Sequence, residues 1–162
     1  MKEETKFIAD ASLGKLAKWL RLLGYDTIVY PEVAGRNMLN QSLAQKRVVL
    51  TRRRDMMERQ FAGRIILIPD CNVVKQLRFL IEKVPLNIKQ RNMYSLCVRC
   101  NKELVIVSEK NEVRECVPHY VYNNYTSFTR CPGCGKVYWQ GTHLRNALNF
   151  IGEINGEISN VK

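Results

Sequence analysis

Residues 47–68, RVVLTRRRDMMERQFAGRIILI, decide the fold. The runs VVLT (48–51) and IILI (65–68) are apolar almost throughout. A strand with one wet face alternates apolar and polar side chains, so continuous runs predict strands covered on both faces, as in a parallel sheet. The segment between them, 52–61, is basic and predicts a short helix. Working outward, each flanking segment repeats the alternation. KFIA (6–9) and TIVY (27–30) read as further strands, the latter ending at Pro31. Residues 12–23 carry Leu13, Leu16, Ala17, Leu20 and Leu23 on one helical face, and Gly24 supplies a C-terminal stop. Residues 37–46 and 72–84 are also helical in period, the latter through Val73, Val74, Leu77, Leu80, Ile81 and Val84. Strand–helix repetition through about residue 85 implies an α/β fold, with a parallel sheet flanked by helices.

The pattern changes at Pro85. Residues 85–95 read as a connector, and the expected division is an α/β domain at 1–88 and a small second domain at 89–162. The second part holds Cys97-x2-Cys100 and Cys131-x2-Cys134, with 30 residues between the pairs. A tight turn in each pair brings two thiolates to one side, and two such knuckles complete a tetrahedron around Zn²⁺. Four thiolates leave no open position, so the expected zinc is structural. Cys71 and Cys116 lack such partners and are expected as small buried side chains. His119 and His143 are expected in surface or capping roles. A final helix is expected at 143–151, with Leu144, Ala147, Leu148 and Ile151 on one face.

The chain has 162 residues, 46% hydrophobic and 25% charged, a soluble globular composition with no apolar run long enough to span a bilayer. The N-terminal MKEETKFIAD is charged and lacks the apolar core of a secretory signal, so a cytoplasmic protein is expected, or a nuclear one in a eukaryote. Net charge is +11, and residues 1–95 carry 18 Lys/Arg against 9 Asp/Glu. An excess of that size favours a polyanionic partner, usually nucleic acid, over an inert basic surface. Arg52, Arg53 and Arg54 form the densest basic stretch, and Lys15, Lys18 and Arg21 recur along one helix; these six are the candidate nucleic-acid contacts. Tyr94, Tyr122, Tyr125, Phe128, Tyr138 and Trp139 could stack on bases or form the core of the second domain.

Asp10 and Asp70 each follow a strand and precede a helix, and Asp55 lies just past VVLT. In open α/β sheets, ligands bind at the carboxyl ends of the strands. Carboxylates gathered there could hold Mg²⁺ or Mn²⁺ and activate water against a phosphodiester. Helix capping is the competing role for Asp10 and Asp70.

The blocks FIADASLGKLAKWLRLLGYDT, RVVLTRRRDMM, KQLRFL and CPGCGKVYWQGTHLRNAL together resemble the PIN-like RNase family with a C-terminal zinc ribbon, named for the C-terminal region of the Mut-seven exonuclease. The resemblance covers about residues 6–151. It implies a PIN-like fold, RNA as substrate, acidic residues holding divalent metal and a structural zinc. Asp10 matches the family's first-strand aspartate, and the four cysteines match the ribbon ligands. The chain departs from the family twice: Ala34-Gly35-Arg36-Asn37 stands where acidic residues usually open the second helix, and Thr51-Arg52-Arg53 stands where Thr-Arg-Asp is usual. Three functions follow as expectations. One is a metal-dependent endoribonuclease using Asp10 with Asp70 or Asp55. Another is a catalytically degenerate RNA-binding protein, with a ribonucleoprotein partner. The third is a protein-docking ribbon.

Overall fold

The computed structural model describes residues 4–88 and 92–159, and it divides into two compact units, Met1–Asn101 and Lys102–Lys162. The expected boundary at 88/89 abuts residues 89–91, which lie outside the described residues.

In the first unit, aliphatic and β-branched runs become strands β1 (Lys6–Ala9), β2 (Thr27–Val29), β3 (Arg47–Thr51) and β4 (Ile65–Leu67). All pair in parallel, in the order β2-β1-β3-β4. Phe7, Ile8, Ala9, Val49 and Leu50 are fully buried, which is why β1 and the end of β3 carry no alternation. Helices α1 (Gly14–Leu22), α2 (Arg36–Ala44) and α3 (Val73–Lys83) contribute the apolar faces that cover the sheet. Leu16, Ala17 and Leu20 are buried on α1, Met38 and Leu39 on α2, Leu77 and Leu80 on α3. A short 3-10 turn, Ala11–Leu13, precedes α1.

Between β3 and β4 the expected helix over 52–61 is absent; a 3-10 turn spans Arg54–Glu58. Its apolar content explains this. Met56 is fully buried, but Met57 is 49% exposed and Arg52, Arg53 and Arg54 face solvent. One buried side chain makes no stripe, and without a stripe to bury, a helix this short has little to hold it.

The second unit holds an antiparallel sheet, β5 (Val105–Ile106), β6 (Phe128–Arg130) and β7 (Val137–Trp139), in that order. Val113, Val117, Val121, Phe128 and Val137 form its core, with Tyr122, Tyr125 and Trp139 packed against it. The aromatic residues near the ribbon, Tyr138 included, are therefore mostly interior or half-buried. Helix α4 (His119–Asn124) is short, and α5 (Thr142–Ser159) runs longer than the expected 143–151. Ala147, Ile151 and Ile154 are buried along α5; the side chains of His143 and Leu144 lie outside the described ones.

Candidate metal centre and nucleic-acid interface

In the order β2-β1-β3-β4 the chain steps from β1 to β2 in one direction along the sheet and from β3 to β4 in the other. That reversal opens a crevice at the carboxyl ends of β1 and β3. Asp10 stands at its base. Its backbone N–H donates to the Leu50 carbonyl at 3.0 Å. One carboxylate oxygen accepts from the Ser12 amide at 2.9 Å and from the Ser12 hydroxyl. The other accepts from the Thr51 hydroxyl at 2.7 Å and from the Arg52 amide at 2.9 Å. Burial raises its pKa, but these four donors outweigh burial and hold the carboxyl below the ordinary aspartate value. Asp10 thus caps the turn after β1 and ties it to the end of β3, while also lining a cavity of about 420 Å³. Glu32, Val33 and Arg53 line the same cavity. Glu32, which merely flanks a strand in sequence, comes to Asp10 because β2 pairs in register beside β1.

The other two aspartates have partners of their own. Asp55 accepts from Arg53 Nε and Nη2, each at 3.0 Å, and lies 3.7 Å from Arg59; Arg53 chiefly holds its pKa down. Asp70 accepts from the Asn72 amide at 2.7 Å and lies 3.7 Å from Lys75. The α3 cap is Asn72, whose side chain accepts from the Val74 and Lys75 amides. Neither Asp55 nor Asp70 lines the Asp10 cavity. Among the described residues, the four cysteines form the one gathered group of three or more potential metal ligands.

Lys15, Lys18, Arg52, Arg53 and Arg54 are exposed. Arg21 corrects the expectation of a solvent-facing RNA contact: it is 8% exposed. Its Nε donates to the Thr27 carbonyl at 2.8 Å, and Nη1 donates to the Val98 and Arg99 carbonyls at 2.9 and 3.2 Å. Periodicity puts Arg21 on the face of Lys15 and Lys18, but a long side chain can turn inward where carbonyls need donors.

Val98 and Arg99 belong to the first cysteine knuckle. The sulfurs of Cys97, Cys100, Cys131 and Cys134 all lie within 4.8 Å of one another. Four thiols gathered this closely fit a single tetrahedral Zn²⁺. The knuckles share one backbone geometry. Asn101 and Gly135, each following a second cysteine, have positive φ of 63° and 75°. Each donates its amide to the carbonyl of the first cysteine, at 2.8 and 2.9 Å. The Gly133 and Cys134 amides approach the Cys131 sulfur at 3.3 and 3.5 Å. Asn101 also binds the start of β2: Oδ1 accepts from the Thr27 amide at 2.9 Å and Nδ2 donates to Asp26 at 2.6 Å. Cys71 and Cys116, expected as buried side chains, are exposed. Cys71 sits in the turn before α3, and the Cys116 sulfur lies 3.6 Å from Arg130 Nη2. His119 is an exposed helix residue with Nδ1 at 3.1 Å from the Asn123 amide nitrogen, a surface role as expected.

No curated protein and no solved structure matches the chain. Residues 5–151 match the Mut7-C RNAse domain, nearly the whole length, across both the α/β unit and the four cysteines. The chain belongs to the Mut7-C RNAse domain family.

Proposed function

We propose that this chain is an RNA-binding protein on its family's RNase scaffold, with Asp10 serving as a staple of the binding crevice rather than as a ligand to a catalytic ion. The observation that carries this reading is the saturation of Asp10. A carboxylate offers about four acceptor positions, and the Ser12, Thr51 and Arg52 donors supply four hydrogen bonds. A divalent ion would have to displace one of them. It would then meet Arg53, a cation lining the same cavity, rather than a second ligand. Asp55 is bound to Arg53 and Arg59, and Asp70 to Asn72 and Lys75. Asp10, Asp55 and Asp70 therefore do not fit a shared Mg²⁺ or Mn²⁺. Exposed Lys15, Lys18 and Arg52–Arg54 would hold the phosphate backbone electrostatically. A ribonucleoprotein partner and a reducing cytoplasmic or nuclear setting are compatible with this role and with cysteines kept reduced for metal binding. No helix among the described residues is long and apolar enough to cross a membrane.

Metal-dependent endoribonuclease activity is the second reading, favoured by the presence of two carboxylates, Asp10 and Glu32, in one cavity. One assay separates the two. Labelled RNA is incubated with the zinc-loaded protein and Mg²⁺ or Mn²⁺, and both binding and cleavage are followed. The expected result is RNA affinity whose logarithm falls linearly with the logarithm of salt concentration, without metal-dependent cleavage. Cleavage that Asp10→Ala abolishes would establish the nuclease. Failure to bind RNA at low salt would sink both readings.

A further inference from the structure

Arg21 is a buried cation that the RNA reading does not use. It leaves α1 and inserts between two sets of backbone carbonyls: Thr27 at the start of β2, and Val98 and Arg99 in the middle of the first knuckle. Burial lowers its pKa, while the charges of Cys97, Cys100 and Asp26 act to raise it. Its Nη1 contacts, the Val98 and Arg99 carbonyls, lie on the two residues between Cys97 and Cys100, which sets the guanidinium against the loop joining the two thiols. Four thiolates around one Zn²⁺ carry a net charge of minus two, and a cation held beside them offsets part of it. A second anchor acts at the end of the same turn. Asn101 accepts the left-handed conformation that the turn requires, closes it onto the Cys97 carbonyl, and grips Thr27 and Asp26 with its side chain. Asp26 is held in turn by Arg47, at 2.8 and 3.1 Å.

We propose that Arg21 is the positioning residue of the zinc site: it fixes the Cys97–Cys100 knuckle to α1 and β2 and supplies the cation beside its thiolates. Arginine suits the place better than lysine. Nε and Nη1 donate in two directions from one rigid plane, so a single side chain bridges β2 and the knuckle. Asn101 works with it by setting the end of the turn. The sequence signature is an arginine within the basic face of α1 that serves the cysteines about 77 residues away.

The test uses the full chain and reads metal rather than activity. Zinc affinity and release rate are measured by competition with a chromophoric chelator, and Co²⁺-loaded protein gives the thiolate charge-transfer and d–d bands. Arg21→Gln is expected to weaken zinc binding by about tenfold or more, speed its release and alter the cobalt bands. Arg21→Lys, which keeps the charge but loses the fork, is expected to fall between Arg21→Gln and wild type. Lys18→Gln serves as the surface control and is expected to leave all three readouts unchanged. RNA affinity of the zinc-loaded Arg21→Lys variant is expected to keep the wild-type salt dependence. Wild-type zinc affinity and cobalt bands in both Arg21 variants would overturn the proposal. If Arg21→Gln does not fold, Arg21→Lys alone decides: unchanged zinc affinity, release rate and cobalt bands in that variant would overturn the proposal.

Discussion

Asp10 shows how one side chain can serve the fold and line a site at once. It is 4% exposed and ionised, and its donors come from the turn after β1 and from the end of β3. Asp10→Asn replaces a charged acceptor with an amide that cannot accept all four bonds, and is expected to cost about 2 kcal/mol near neutral pH. The sign with pH follows from the depressed pKa. A carboxyl ionised more readily when folded stabilises the fold above its unfolded value, and that stability is lost as pH falls through the folded one. Denaturant melts of wild type and Asp10→Asn should therefore differ near neutrality and converge in acid. A gap that persisted, or widened, in acid would contradict the depressed pKa. Sequence placed Asp10 at a strand end but left capping and metal binding open, because both need a carboxylate there. The capping bonds themselves appear only once Ser12, Thr51 and Arg52 are placed around the carboxylate.

At the scale of elements, the end of α1 was legible in the sequence and obeys local chemistry. Gly24 has φ of 90°; its amide donates to Arg21 and the Tyr25 amide donates to Leu20, which closes the helix in a Schellman arrangement. A Cβ at Gly24 would lie 2.5 Å from the Asn92 carbonyl oxygen. Gly24→Ala should therefore cost more than the conformational penalty of about 1 kcal/mol, through the backbone clash, and lower the melting temperature by several degrees. An unchanged melting temperature would show that the 92–95 turn gives way without cost. The segment after β3 departs from its sequence pattern for the opposite reason. Its arginines and methionines resemble a basic helix in composition, but burial of Met56 alone leaves the 3-10 turn as the longest helical piece.

For the whole molecule, zinc is expected to contribute much of the stability of the cysteine-bearing turns, as in other small metal-centred folds. Its removal should first abolish amide protection at 97–101 and across β6 and β7, measured by hydrogen exchange. The Thr27 amide should follow, because its acceptor is the Asn101 side chain. Full protection of both knuckles after complete zinc removal would show that the four cysteines are not held by metal.

By itself the sequence determined the strand–helix alternation, the parallel sheet and the two cysteine pairs. Each is written in local terms: continuous apolar runs, helical period, and paired thiols two residues apart. The tertiary structure decided what the charged side chains do. Lys15, Lys18 and Arg21 share a helical period, yet Arg21 turns inward because the carbonyls of Thr27, Val98 and Arg99 need a donor there. Glu32 and Arg53 meet Asp10 because β2 and β3 flank β1. A charge's partner lies across the sheet or tens of residues along the chain, so its role is fixed only when the strands are placed side by side.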